Sequence, residues 1–358
     1  MKYLKRRKKN PLWLVILADA AMVGVILVAF AFFHHVLPKI TAEYQLRQML
    51  ANATEPSETE PEITEAPPTT EPDETEEITE PVETTEPDPR TPWQIKFEEH
   101  FSEEPVLTYT SYKSPEVSIT IDKVRTSING NPVTYYLADI YIASIDNFQT
   151  YTAYGDVVYF GAQNPVGMSK ATNAIIGING DYMTVQKEGF LVRNSVVYAS
   201  DRNNSICVLY PDGSMEAYDQ GTYEIDDILA REPLQVWSFG PSLLDENGKV
   251  KEEYDMLSGV VGIHPRTAVG YYEPGHYCFL VVDGRQKHSL GMRMNQLAQI
   301  FEDLGCAMAY NMDGGASSVM LFDDHVINMQ SASRDLGDIL LITDSYYNAT
   351  MIPLEALQ

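Results

Sequence analysis

Five short polar stretches carry the residues able to do chemistry. They are INGD at 178–181, HPRTAVG at 264–270, VDGRQKHSLGM at 282–292, NMDGGASS at 311–318 and ASRD at 332–335. Three aspartates, Asp181, Asp283 and Asp313, and three arginines, Arg266, Arg285 and Arg334, sit in these turns. A guanidinium matches the geometry of a phosphate through two parallel hydrogen bonds. A carboxylate beside it can be base, acid or nucleophile, or can only orient the arginine. Gly314 and Gly315 let the backbone approach a ligand, Ser317 and Ser318 add hydroxyls, and exposed N–H groups form an anion-binding nest. Singly, Asn179-Gly180, Asp283-Gly284 and Asp313-Gly314 are ordinary turn dipeptides. Together they point to a polar, phosphate-bearing ligand. Ca²⁺ or Mg²⁺ bound by aspartates and loop carbonyls is the rival reading. EF-hand and zinc spacings are absent, and His264, His276, His288 and His325 are scattered with no H-E-x-x-H. A G-x-S-x-G elbow and a G-x-x-x-x-G-K-[ST] loop are absent too, which argues against a serine hydrolase and a P-loop enzyme.

Short strands must position these turns. VSITIDKV, TYYLADIYIAS, AIIGING, SICVLY and HYCFLVVDG are apolar or alternating runs punctuated by Gly, Asn, Asp and Pro. NQLAQIFEDL at 295–304 places Leu297, Ile300, Phe301 and Leu304 at helical spacing. Asn295 is its expected N-cap and Gly305 its stop. With strands at 277–282 and 307–311, it predicts a strand–helix–strand unit with a parallel, right-handed crossover. Ser318–Phe322 and Val326–Met329, joined by Asp323-Asp324-His325, predict a hairpin, and 338–344 a last strand. The fold class is α+β, dominated by sheet.

The 358-residue chain divides by charge. Residues 1–51 carry eight Lys/Arg against two Asp/Glu, and 52–90 carry fourteen Asp/Glu against one Arg. From a total of −26, that leaves −19 for residues 91–358. An acidic domain argues against nucleic acid as a partner. A basic tail at 1–10 precedes an apolar span, so 11–37 is expected to be an uncleaved transmembrane anchor contacting the lipid bilayer, N-terminus cytoplasmic. Residues 38–51 form a juxtamembrane segment. The Thr/Glu/Pro run at 52–92 cannot bury enough apolar surface to fold and is expected to be a disordered, extended spacer. A domain at 93–350, with its core at 130–345, would lie outside the cell. Cys207, Cys278 and Cys306 are odd in number, and the first two lie in strand-like runs, so all three read as small buried apolar residues.

PRTAVG, VVDGRQKHSLGM, LGCAMAYNMDGGASSVM and RDLGDILLIT, with AIIGINGDYM before them, resemble the phosphodiester glycosidase family in order and approximate spacing. The resemblance covers about residues 130–345. It departs at Ala316, Met312 and the QKHSLGM loop. It implies hydrolysis of a sugar-1-phosphodiester at the anomeric carbon, with no cofactor required and a divalent cation such as Ca²⁺ as an option. By carry-over, Asp313, Asp283 and Asp181 are the candidate catalytic carboxylates. Arg266, Arg285 and Arg334 are candidate phosphate contacts. Asn179, His288, Ser289, Asn311, Gly314, Gly315, Ser317 and Ser318 complete the phosphate and sugar site. A non-catalytic glycan-binding or assembly protein, and a cation-dependent phosphodiesterase cutting P–O, are the competing functions.

Overall fold

The computed structural model describes residues 88–155, 161–182, 189–201, 204–254 and 258–348. The anchor expected at 11–37 and nearly all of the expected spacer lie outside the described residues. Among those described, no helix is long and apolar enough to cross a membrane. In chain order the elements begin with α1 (Pro92–Lys96), β1 (Val106–Leu107), β2 (Ser111–Lys113), β3 (Val117–Ile128), β4 (Asn131–Ile142) and β5 (Phe148–Thr152). Then come α2 (Pro165–Thr172), β6 (Ile176–Asn179), β7 (Phe190–Arg193), β8 (Val196–Ser200), β9 (Ile206–Leu209), β10 (Met215–Tyr218), α3 (Ile225–Leu229) and β11 (Gln235–Trp237). The last are β12 (Arg266–Glu273), β13 (His276–Val282), α4 (Met294–Leu304), β14 (Met308–Asn311), β15 (Met320–Phe322), β16 (His325–Val326) and β17 (Asp338–Ile342).

Three sheets result, ordered β1-β2-β3-β4-β13-β12-β14, β10-β9-β11-β7-β8 and β16-β15-β6-β17-β5. Sheet dominance with few helices is as expected. Each sheet turns one face to a common core, where Phe279 and Tyr310 meet Cys207 and Trp237 and also Ile178 and Leu340. The opposite faces are covered too. Cys278, Leu280 and Val282 of β13 pack on Leu297 and Phe301 of α4. Ile339 and Leu341 of β17 pack with Met168 of α2, and Ile206 and Val208 of β9 with Ile228 of α3. Burial on both faces is why these strands read as continuous apolar runs in sheets that are antiparallel.

The strand–helix–strand unit forms with parallel strands in one sheet, but the two strands are not neighbours. β13 and β14 run in the same direction, but β12 lies between them and pairs antiparallel with both. The helix therefore crosses over one strand. Its N-cap is Arg293 rather than Asn295, with the Gln296 side chain accepting from the Arg293 N–H at 2.9 Å. Gly305 does end it, left-handed at φ 76°. The hairpin of β15 and β16 is shorter than expected, and its two-residue turn, Asp323-Asp324, has positive φ at both positions.

Candidate active site

The 312–319 loop is tied down through its own backbone. Met312 N–H donates to Thr267 O (2.8 Å), Asp313 N–H to Gly180 O (3.2 Å) and Gly315 N–H to Pro265 O (3.0 Å). The loop thus lies across the start of β12 and the end of β6. A Cβ at Gly314 would stand 2.8 Å from Pro265 O, so only glycine permits this approach. Asn179, at the end of β6, clamps the loop from beneath. Its Nδ2 donates to Asp313 O (2.6 Å), and its Oδ1 accepts from the Thr267 hydroxyl (2.7 Å) and Val319 N–H (3.2 Å). Asn311 is anchored likewise, Nδ2 donating to Gly240 O at 2.7 Å.

On one side of this loop is the Asp313 carboxyl. Gly314 N–H donates to its Oδ1 at 2.8 Å, and Arg334 Nη1 stands 3.8 Å from its Oδ2. Burial raises the Asp313 pKa above the ordinary carboxylate value. Nearby Ser317, Arg334 and the Gly314 N–H oppose the rise, and Asp181 adds to it. Arg334 also lies over the Tyr182 ring, 4.9 Å from its centroid.

On the other side, positive groups gather with no acid paired to them among the described residues. Arg266 is buried, and its donors meet main-chain carbonyls: Nε to Met292 O (3.0 Å), Nη2 to Val260 O and Gly262 O (both 2.7 Å). Among the described residues it forms no ion pair. Burial, with the Arg285 charge adding to it, lowers its pKa to about 10. Arg285 is exposed. Its guanidinium borders Gly315 so closely that a Cβ there would stand 3.1 Å from Nη2. Arg285 Nη2 is 3.4 Å from His264 Nδ1. The His264 pKa is lowered by burial and then by Arg266 and Arg285.

Two expected residues face inward instead. Asp181 Oδ2 takes Arg193 Nη2 at 2.7 Å and the Ser238 N–H at 3.0 Å. The same Nη2 stands 2.8 Å from Asp338 Oδ2, all three side chains being almost wholly buried. Asp283 is also buried and braces turns: its Oδ1 accepts from Met329 N–H at 2.9 Å, and its Oδ2 meets His288 Nε2 at 3.2 Å. The Ser289 hydroxyl donates to Asp283 O at 2.6 Å and accepts from Thr134 N–H at 3.0 Å. Ser317 and Ser318 are buried at the back of the loop. Arg193, Asp338 and Tyr182 were not anticipated. The available signal was a charge ending or opening an otherwise apolar strand, as in FLVR and DILLI. Among the described residues, no group of three or more His, Cys, Asp or Glu could hold a metal ion.

Residues 172–343, which contain every one of these side chains, match the family model described as phosphodiester glycosidase. That stretch is similar to that family. A Bacillus subtilis (strain 168) relative, the SPbeta prophage-derived uncharacterized protein YomE, is 25% identical over 198 residues. That match covers 52% of this chain and 31% of YomE, so the chain spans about a third of that relative's length. A solved structure of the zebrafish N-acetylglucosamine-1-phosphodiester alpha-N-acetylglucosaminidase catalytic domain, auto-inhibited by its pro-peptide, is also similar. It superposes with TM-score 0.54 at 20% identity, over 67% of this chain and 88% of that one. A hypothetical protein from Synechocystis gives TM-score 0.50 at 11% identity, over 64% and 62%. At these identities the structures establish a shared fold.

Proposed function

We propose that this chain is a membrane-tethered extracellular hydrolase that cleaves the anomeric C–O bond of a sugar-1-phosphodiester in a cell-surface glycan or teichoic-acid-like polymer. The observation that carries the reading is the acid-free group of Arg266, Arg285 and His264 next to Asp313. Two guanidiniums held close with no carboxylate repel each other, and an anion relieves that repulsion. In a domain of net charge −19 such a place is a specific exception. The zebrafish enzyme's name describes a phosphodiester of the same kind.

In this reading Arg285 and the Gly314–Gly315 backbone take the phosphate oxygens. The buried Arg266 charge behind them stabilises the negative charge that develops as the phosphate departs. A departing phosphate monoester is a better leaving group than an alcohol, so the demand for a strong general acid is lower. Asp313 works at the anomeric centre, where burial raises its pKa and so favours a carboxyl able to hold a proton. Asn179, Asp283, Ser289 and Asn311 hold the turns in place. The apolar span at 11–37 supports the tether, and the acidic Thr/Glu/Pro run supports a spacer between membrane and domain.

Incubation with a model N-acetylglucosamine-1-phosphodiester tests this. Free sugar should appear with the wild type, and Asp313→Asn should lower the rate by about 10²–10⁴-fold. In H₂¹⁸O the label should enter the sugar. Label in the phosphate would mean P–O cleavage, and binding without release across several sugars would mean a non-catalytic glycan-binding protein.

A further inference from the structure

We infer that the buried Asp181–Arg193–Asp338 cluster holds one proton, carried by Asp338, and that Asp338 is a positioning residue whose ionisation limits the site on the alkaline side. The geometry sets the charge count. Two carboxylates share one guanidinium, with Arg193 Nη2 2.7 Å from Asp181 Oδ2 and 2.8 Å from Asp338 Oδ2. Arg193 Nε binds Asp338 as well, at 3.0 Å, and its Nη1 donates to the carbonyls of Val192 and Val236. No second cation reaches the cluster among the described residues. With both acids ionised, it would carry an uncompensated negative charge in the interior. Asp181 Oδ2 takes the Ser238 N–H as a donor of its own, whereas both donors to Asp338 Oδ2 belong to the shared guanidinium. The remaining oxygens, Asp181 Oδ1 and Asp338 Oδ1, are buried with no hydrogen-bond partner among the described residues. A proton on Asp338 removes the uncompensated charge that these unpartnered oxygens would otherwise share.

The charged and titratable groups facing Asp338 are Asp181, Arg193 and Asp313. Burial and then Asp181 raise the Asp338 pKa to about 8, against the pull of Arg193. The cluster reaches the site through one glycine. A Cβ on Gly180 would lie 2.4 Å from Asp338 Oδ1, and Gly180 O accepts the Asp313 N–H. Loss of the proton therefore places a second negative charge behind the segment that seats Asp313. The effect on catalysis rests on the proposed function; the effect on stability does not.

Asp338→Asn is the test, because an amide imitates the protonated acid: its oxygen keeps the Arg193 bonds and its N–H₂ replaces the O–H. An acid whose pKa is raised by folding favours the folded state below its unfolded pKa, near 3.8, and that advantage is lost as pH rises through about 8. Wild type should therefore lose Tm between pH 6 and pH 9 relative to Asp338→Asn, by about 3 °C or more. Asp338→Ala serves as the folding control and should be less stable than wild type at pH 6. If sugar release is observed, the alkaline limb of the pH–rate profile should move up by about one unit or more in Asp338→Asn. Parallel Tm curves for wild type and Asp338→Asn would overturn the inference. An absence of sugar release in every variant would count against the proposed function alone.

Discussion

Two buried arginines lie on either side of the same loop, and their surroundings are opposite. Arg193 meets two carboxylates, and their attraction outweighs burial so that its pKa rises. Arg266 meets only carbonyl oxygens, and burial pulls its pKa down. The first charge is cancelled inside the protein. The second is not, and its field extends to Arg285, His264 and the glycines of the 313–315 turn. Burial alone therefore does not make an arginine structural. What matters is whether an acid stands beside it, and at Arg266 none does among the described residues, which is the basis of the anion site proposed above.

Substitutions can break or sharpen this contrast. Arg193→Gln removes the cation that two buried acids share and should cost about 3–5 kcal/mol in urea denaturation. Arg266→Gln strands no acid, so its cost should be smaller, about 1–3 kcal/mol from lost donors to three carbonyls. Equal losses for the two variants would erase the distinction. Inorganic phosphate should raise the wild-type Tm by binding the folded state, and Arg285→Gln should weaken that binding about tenfold, or ~1.4 kcal/mol. Gly315→Ala should cost about 1 kcal/mol, because φ is +70° and the added carbon meets the Arg285 guanidinium. The smallest effect is a matter of pH. Burial raises the Asp313 pKa, so a limb of the pH–rate profile set by this acid should lie above the ordinary carboxylate range. Arg334→Gln removes a charge that opposes the rise and should move that limb further up.

The turns were legible in the sequence because their chemistry is local. Asp-Gly and Asn-Gly beside arginine mark strand ends, and the structure brings 178–181, 264–266, 283–285 and 313–315 together. Orientation within a turn is not local. Asp181 and Asp313 look alike in sequence, yet one is taken by Arg193 from β7 and the other is left beside Arg334. Arg193 was invisible as a site residue because its partners lie 12 and 145 positions away. The apolar runs announced strands but not their pairing. Runs buried on both faces look the same in parallel and antiparallel sheets, so nothing in 277–311 revealed that β12 would lie between β13 and β14.

The three-sheet core has a consequence for how activity can arise. Asp181 follows a strand of one sheet, Arg193 belongs to a second, and Asp313 follows a strand of the third. The seven-stranded sheet presents Arg266, Asp283 and Asp313 at its strand ends, but Asn179 and the Asp181–Arg193–Asp338 cluster behind it come from the other two sheets, and contacts among them span more than a hundred residues of chain. Such long-range closures form late and slowly in folding. A nascent, truncated or proteolytically trimmed chain should therefore be silent rather than partly active. Turnover would then report that assembly is complete.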